Sequence, residues 1–141
     1  MREAREYPKV GVAVWLKNQK GEVFLMKRKG SHGGGTWAPP GGKLEFAEEV
    51  EHCAKRETKE EADLEIGGVK VLGVTNDIFN LETHYITLHT FTDEWKGEPK
   101  IMEPEKCSEI GWFSLSKLPQ PLFWTVENFI KTGQLEKLEN A

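Results

Sequence analysis

The segment spanning residues 46–62 constrains the fold of this chain more than any other. It is rich in Ala, Glu and Lys and free of Gly and Pro, so it reads as a helix. At about 100° per residue, Phe46, Val50, Cys53, Ala54 and Leu64 cluster on one side, which should face a core. Glu57 and Glu61 fall inside the same stripe, four positions apart and therefore neighbours, with Glu60 at its edge. Three carboxylates thus converge where the helix ought to be apolar. Like charges at this spacing repel, and the cost grows with burial unless a cation pairs with them. A hard divalent ion meets that need. Carboxylate oxygens suit Mg2+ or Mn2+, and Mg2+ is commonly shared with substrate phosphates. An ordinary solvated acidic face is the alternative. It suits Glu48, Glu49 and Glu51, with Lys55 and Lys59 as exposed partners, but not Glu57 and Glu61, which lie on the apolar side.

The rest of the chain supplies strands. Residues 10–16 are apolar and β-branched, as a buried strand requires. After a turn at 17–21, residues 23–26 read as a second strand, so the two are expected to form a hairpin. Residues 30–35 read as a flexible glycine loop and 37–42 as extended chain punctuated by Pro39-Pro40-Gly41-Gly42, whose backbone can come close to a ligand. Strands are expected at 69–74, 85–91 and 110–113, a polar loop at 97–106, and a second helix at 122–131 ended by Gly133. Strands early, middle and late with helices between and after imply an α/β or α+β fold, a mixed sheet packed by helices.

With 141 residues the chain suits one domain. Its net charge of −4 argues against a nucleic-acid polymer or an anionic membrane as partner, while polyphosphate stays accessible if metal ions supply positive charge. No apolar run approaches the length of a membrane span, and the charged residues 1–6 lack a signal core. Cys53 and Cys107 are isolated and read as free thiols of a reducing cytoplasm. His32, His52, His84 and His89 share no metal-ligand spacing and take no assigned role.

Gly42 is followed after five positions by Glu48, and after seven more by Arg56-Glu57-Thr58-Lys59-Glu60-Glu61-Ala62-Asp63-Leu64. This spacing resembles the Nudix box, in which Gly, five residues, Glu and seven residues precede Arg-Glu-apolar-x-Glu-Glu-x-Gly-apolar. Every charged position matches. Thr58 stands where an aliphatic residue is usual and Asp63 where Gly is usual. Both departures bear on packing and helix termination rather than on ligands. Segments 27–31, 103–107 and 121–124 extend the likeness to the MutT-type nucleoside triphosphate diphosphatases over residues 10–130. Ile110 and Gly111 depart from that branch, where Trp and Glu are usual, which bears on the choice of substrate.

The resemblance implies a Nudix-type mixed β-sheet sandwiched between α-helices. It also implies Mg2+-dependent hydrolysis of nucleoside triphosphates to a monophosphate and pyrophosphate, with Mn2+ as the alternative ion. Glu57, Glu60, Glu61 and the Gly41 carbonyl would hold the metal, while a Glu48–Arg56 salt bridge braces the loop and helix. Glu57 or Glu60 would take the proton of the attacking water, with Glu103, Glu105 and Glu109 as further candidates. Arg28 would contact substrate phosphates, and Gly42, Trp37, Thr87, Phe123 and Trp124 complete the expected substrate pocket. Trp15, Trp95, Trp112, Phe113 and Phe129 are expected to be structural, and the assembly a homodimer. Two other readings stay open. One is hydrolysis of a nucleoside diphosphate linked to another group, such as ADP-ribose; the short chain, with no added N-terminal module, favours the triphosphate over it. The other is a non-catalytic nucleotide sensor, which should have lost a ligand that this chain keeps.

Overall fold

Side chains alternate along the first strand between two separate cores. Val12, Val14 and Leu16 pack with Phe24, Met26, Cys53, Ala54, Ala62 and Leu64. Trp15, between them, packs with Val23, Leu25, Phe91, Val126 and Phe129. A strand covered on both faces needs a continuous apolar run, which is what the sequence has there. The second strand divides in the same way, with Phe24 and Met26 in one core and Val23 and Leu25 in the other.

The computed structural model describes residues 7–141, so the charged stretch 1–6 lies outside the described residues. In chain order the elements are β1 (Lys9–Leu16), β2 (Val23–Arg28), β3 (Trp37–Ala38), β4 (Gly41–Lys43), α1 (Val50–Ala62), β5 (Glu65–Ile66), β6 (Lys70–Asn80), β7 (Thr83–Thr92), β8 (Trp95–Lys96), β9 (Cys107–Phe113), α2 (Trp124–Lys131) and α3 (Leu135–Glu139). A mixed sheet runs β4-β1-β7-β6, a second runs β3-β2-β9, and β5 pairs with β8. The β1–β7 pairing is parallel and the other ladders are antiparallel. Cys53, Ala54 and Ala62 of α1 close one core, while Val126 and Phe129 of α2 and Leu138 of α3 close the other. The expected mixed sheet between helices is thus what forms. Among the described residues, no helix is long and apolar enough to cross a membrane.

Several local expectations are corrected. β1 and β2 are not a hairpin within one sheet; their backbone pairing is confined to the Lys17–Val23 bridge, although their side chains share both cores. Both edges of β1 are taken by β4 and β7, and those of β2 by β3 and β9, so neither has an edge left for the other. The helix begins at Val50 rather than Phe46. Ala47 adopts a left-handed φ of 64°, and Phe46 is fully exposed instead of facing the core. The second helix begins two residues later than expected, at Trp124. The loop at 30–35 is cross-tied, with the Gly35 N–H donating to the Arg28 carbonyl and the Thr36 hydroxyl to that of Gly33. β6 runs on to Asn80, and the short elements β5, β8 and α3 had no clear signature.

Candidate active site

The two departures from the Nudix pattern fit their places. Asp63 ends α1 in the left-handed conformation, φ 58°, with its N–H on the Lys59 carbonyl. Asp tolerates this geometry better than most residues, and Lys59 holds its carboxylate at 2.9 Å. Thr58 is fully buried, and its hydroxyl donates to the Ala54 carbonyl one turn back at 2.7 Å.

At its other end the helix is braced rather than capped. The Glu48 carboxylate accepts the Glu45 N–H at 3.0 Å. It also takes two bonds from the Arg56 guanidinium, Nε at 2.8 Å and Nη2 at 2.9 Å. This bidentate fork is the geometry in which Arg and carboxylate bind best. The Arg56 hydrogen bonds hold Glu48 well below the usual carboxylate range, and Glu48 in turn raises Arg56. His52 adds a contact to Glu48 at 2.6 Å. The expected salt bridge is therefore present, and it locks residues 45–49 to the middle of α1.

The face of α1 that carries Glu57 and Glu61 lies against β4. A Cβ on Gly42 would fall 2.5–2.6 Å from the two oxygens of Glu57, so only glycine leaves room for that carboxylate. One turn on, Glu61 accepts the Gly41 N–H at 2.8 Å. Glu57 also accepts from Arg56 Nη1 at 2.7 Å. Burial raises Glu57. It raises Glu61 to about 8, against the pull of the Gly41 N–H and with further push from Glu57 and Glu103. Carboxylate charge is thus gathered here beyond what the nearby cations compensate. Glu60 stands apart, its side chain 53% exposed and 3.7 Å from Arg56 Nη1.

Among the described residues, no three acidic, His or Cys side chains already meet at one point. A partly buried pair of hard oxygen donors, of which Arg56 touches only Glu57, nevertheless fits a divalent ion that takes one or two carboxylates and completes its shell with phosphate and water. Glu57 and Glu61 are placed for this, and Glu60 would have to turn toward them.

Two cavities adjoin this face. One, of about 240 Å³, lies between Glu61 and Glu103 on one hand and Lys27, Arg28, Lys29 and Lys106 on the other. The second, of about 150 Å³, is lined by Gly11, Gly42, Phe79, Tyr85, Thr87 and Phe123. Arg28, His32 and Gly41 border both. The Arg28 guanidinium stacks 4.0 Å from the Phe123 ring centre and donates to the His32 carbonyl. Gly33, at φ 74°, passes so close to Phe123 that a Cβ would lie 2.7 Å from Cδ1.

Of the expected pocket residues, Arg28, Gly42, Thr87 and Phe123 line the smaller cavity. Trp37 does not. It is 6% exposed and packs edge-on against Phe113, so it belongs to the core. Trp124 lies beside the cavity rather than in it, its ring 3.9 Å from that of Phe79. Of the later glutamates, Glu103 faces the site, whereas Glu109 pairs with Lys27 and Glu105 is exposed. Trp15 and Phe129 are fully buried, as expected. His32, to which the sequence assigns no role, also lines the smaller cavity, as do Phe79 and Tyr85, which no motif singles out. Nor does any motif mark the buried group beneath Thr87, formed by Asp77, Thr75, His89 and Asn128. The signal available was Asp77, an acid in the middle of a strand.

The NUDIX domain model matches residues 7–132 of the chain. Over 107 residues the chain is 32% identical to the oxidized purine nucleoside triphosphate hydrolase of Danio rerio, covering 75% of this chain and 67% of that protein. It is 26% identical over 117 residues to the NAD-capped RNA hydrolase NudC of Pseudomonas entomophila, spanning 83% of this chain but 41% of NudC. The crystal structure of a MutT NUDIX hydrolase from Burkholderia pseudomallei superposes with a TM-score of 0.81 at 31% identity, covering 95% of this chain and 98% of that one. The NUDIX domain of Shewanella oneidensis NrtR, crystallised with ADP ribose, has a TM-score of 0.74 over 96% of this chain and 92% of that one, and at 16% identity this is a likeness of fold alone. With the braced loop-helix unit in place and the domain matched over residues 7–132, the chain belongs to the Nudix hydrolase family.

Proposed function

We propose that this enzyme hydrolyses nucleoside triphosphates to a nucleoside monophosphate and pyrophosphate, with Mg2+ as its ion and Mn2+ as a substitute. The observation that carries this reading is the shared wall of the two cavities. Arg28 borders both the compartment lined by Phe123 and Thr87 and the one lined by Glu61 and Glu103. A planar base in the first would leave its phosphate chain running past Arg28 into the second. Aromatic rings stack on any base face, and Arg suits phosphate oxygens.

Nudix hydrolases use divalent metal ions, and here Glu57, Glu61 and, after turning, Glu60 would hold them, with the Gly41 carbonyl as a further ligand. The ions supply neutralisation of charge on the reacting phosphoryl group. Arg56 and Glu48 fix the helix that carries the carboxylates, and Glu57 or Glu60 takes the proton of the attacking water. Glu103 is a further candidate because it faces the same cavity.

A second reading keeps the site and changes the substrate to a nucleoside diphosphate joined to another moiety. The likeness to NAD-capped RNA hydrolases favours it. In either case the substrate is a nucleotide or a nucleotide end rather than a polymer backbone, in keeping with the net charge of −4. The free, buried Cys53 and Cys107 support a reducing compartment such as the cytoplasm. Val71, Val74 and Ile78, all about half exposed or more along the edge strand β6, support a homodimer, which light scattering tests.

The deciding experiment measures pyrophosphate release, with and without Mg2+, from a panel of nucleoside triphosphates and of diphosphate-linked nucleosides, beside Glu61→Gln. Mg2+-dependent pyrophosphate from triphosphates, lost in the variant, is the expected result. Turnover of the linked diphosphates alone would give preference to the second reading.

A further inference from the structure

The polar groups beneath the smaller cavity form one hydrogen-bonded chain, and its directions follow from a single fixed donor. An indole nitrogen can only donate. Trp15 Nε1 lies 3.1 Å from His89 Nδ1, so Nδ1 is the acceptor. Burial pushes the His89 imidazole down to about 4. The ring is therefore neutral at neutral pH, with its one proton on Nε2. That nitrogen lies 2.9 Å from Thr75 Oγ1 and donates to it. The Thr75 hydroxyl in turn donates to Asp77 Oδ2 at 3.0 Å. The same oxygen accepts the Thr87 hydroxyl at 2.5 Å, and Oδ1 accepts the Asn128 amide at 2.8 Å. Asp77 is fully buried. Three neutral donors hold its two carboxylate oxygens, two on Oδ2 and one on Oδ1.

Thr87 stands between this group and the cavity wall. A hydroxyl has one proton and two lone pairs, and the proton of Thr87 is committed to Asp77. What remains for a ligand is a lone pair. The residue beside it in the β1–β7 register is Gly11, which also lines the cavity. A Cβ at Gly11 would lie 3.6 Å from Thr87 Oγ1, so glycine there leaves the oxygen uncovered.

We propose that Asp77 fixes Thr87 as a hydrogen-bond acceptor in the nucleotide pocket, so that the pocket selects bases that present an N–H donor at this point. The proposal rests on the reading of this cavity as a base pocket. Asp77 is a positioning residue, acting through Thr87 without touching the ligand. The chemical class selected is a ring N–H or an exocyclic amino group. A base carbonyl or an unprotonated ring nitrogen in the same place would set lone pair against lone pair. Asp77→Asn nearly preserves shape. With its amide nitrogen turned toward the two threonines and its oxygen toward Asn128, it would free the Thr87 proton to face the cavity. A purely structural Asp77 would lose stability on this change without altering which bases are preferred.

The test is calorimetric binding of nucleoside monophosphates to the full chain, so that base recognition is measured apart from hydrolysis. GMP is compared with 1-methyl-GMP and IMP, and AMP with purine riboside monophosphate, each analogue lacking one N–H or amino group. In the wild type, deleting the recognised donor weakens binding about tenfold or more. Thr87→Ser keeps that ratio, whereas Thr87→Val and Asp77→Asn bring it within about twofold of one. A ratio near one for every analogue in the wild type would overturn the proposal. So would a full ratio surviving in Thr87→Val, or no monophosphate binding at all. If Asp77→Asn does not fold by near-ultraviolet circular dichroism, the two Thr87 variants decide. Failure of the triphosphate reading looks different: no pyrophosphate is released, while the monophosphate ratios stand.

Discussion

Glu61 accepts the backbone N–H of Gly41 at 2.8 Å across the junction of α1 and β4. The bond fixes a partly buried carboxylate against the strand that leads into the helix. With Arg28, it opposes the burial and the two further carboxylates that push Glu61 up to about 8. The site therefore holds a carboxylate whose charge is poorly compensated by the protein alone, and an added cation would make good what Gly41 cannot.

Glu61→Gln keeps the shape and removes the charge. Mg2+-dependent turnover should fall by at least about a hundredfold, the scale on which loss of one charge-stabilising group is felt. Thermal melting gives a second readout. Mg2+ should raise the melting temperature of the wild type and leave that of the variant unchanged. An equal rise in both proteins would remove Glu61 from the metal site.

Gly42→Ala tests the close approach of strand and helix. Gly42 has no left-handed φ, so alanine strains no backbone there. Its Cβ would nonetheless fall 2.5–2.6 Å from the Glu57 oxygens and drive that carboxylate away. A displacement of this order should cost about a hundredfold in kcat with little change in unfolding by urea. A variant with normal kcat would mean that Glu57 need not stand where it does.

Much of this was legible in the sequence, and the exceptions share a cause. The apolar stripe of α1 with Glu57 and Glu61 inside it pointed to the candidate site, because a helix has one period and a charge on the wrong side of it is conspicuous. The start of the helix was not legible. Phe46 looked like a core residue, but nothing in its own chemistry records that Ala47 turns left-handed. The strand expected at 69–74 runs on to Asn80, through the polar Thr75, Asn76 and Asp77. They continue the strand since Asp77, beside Thr75 in the same strand, finds Thr87 and Asn128 in two other elements. Partners that far apart in sequence leave no local pattern. Trp37 failed in the opposite sense: only the family resemblance placed it in a base pocket, while its pairing with β2 and its bridge to Leu122 turn it into the core.

Arg56→Lys should separate bracing from charge. Lysine keeps the positive charge but cannot offer two parallel N–H groups to Glu48 while a third reaches Glu57. Expected is a loss of about tenfold or more in Mg2+-dependent kcat/KM in a protein whose circular dichroism is unchanged. Wild-type activity in Arg56→Lys would show that positive charge near Glu48 suffices and that the fork is dispensable.

His89 sets a limit on acid stability. Its imidazole is depressed from 6.5 to about 4 because burial disfavours the charged ring, with Asp77 opposing the shift. Between those values the unfolded chain takes up a proton that the folded chain refuses. The sign follows directly: stability from this group is complete above pH 6.5 and declines as pH falls toward 4. The loss there should approach about 3 kcal/mol. His32 is lowered too, by burial and by Arg28, and contributes in the same direction. Urea unfolding at a series of pH values from 7 to about 4 checks the prediction, run beside His89→Gln, whose amide oxygen can still accept from Trp15. The variant should be less stable at neutral pH, yet lose less on acidification. Parallel curves for the two proteins would mean that His89 takes up its proton without unfolding, and that the Trp15–His89 hydrogen bond gives way inside the folded core.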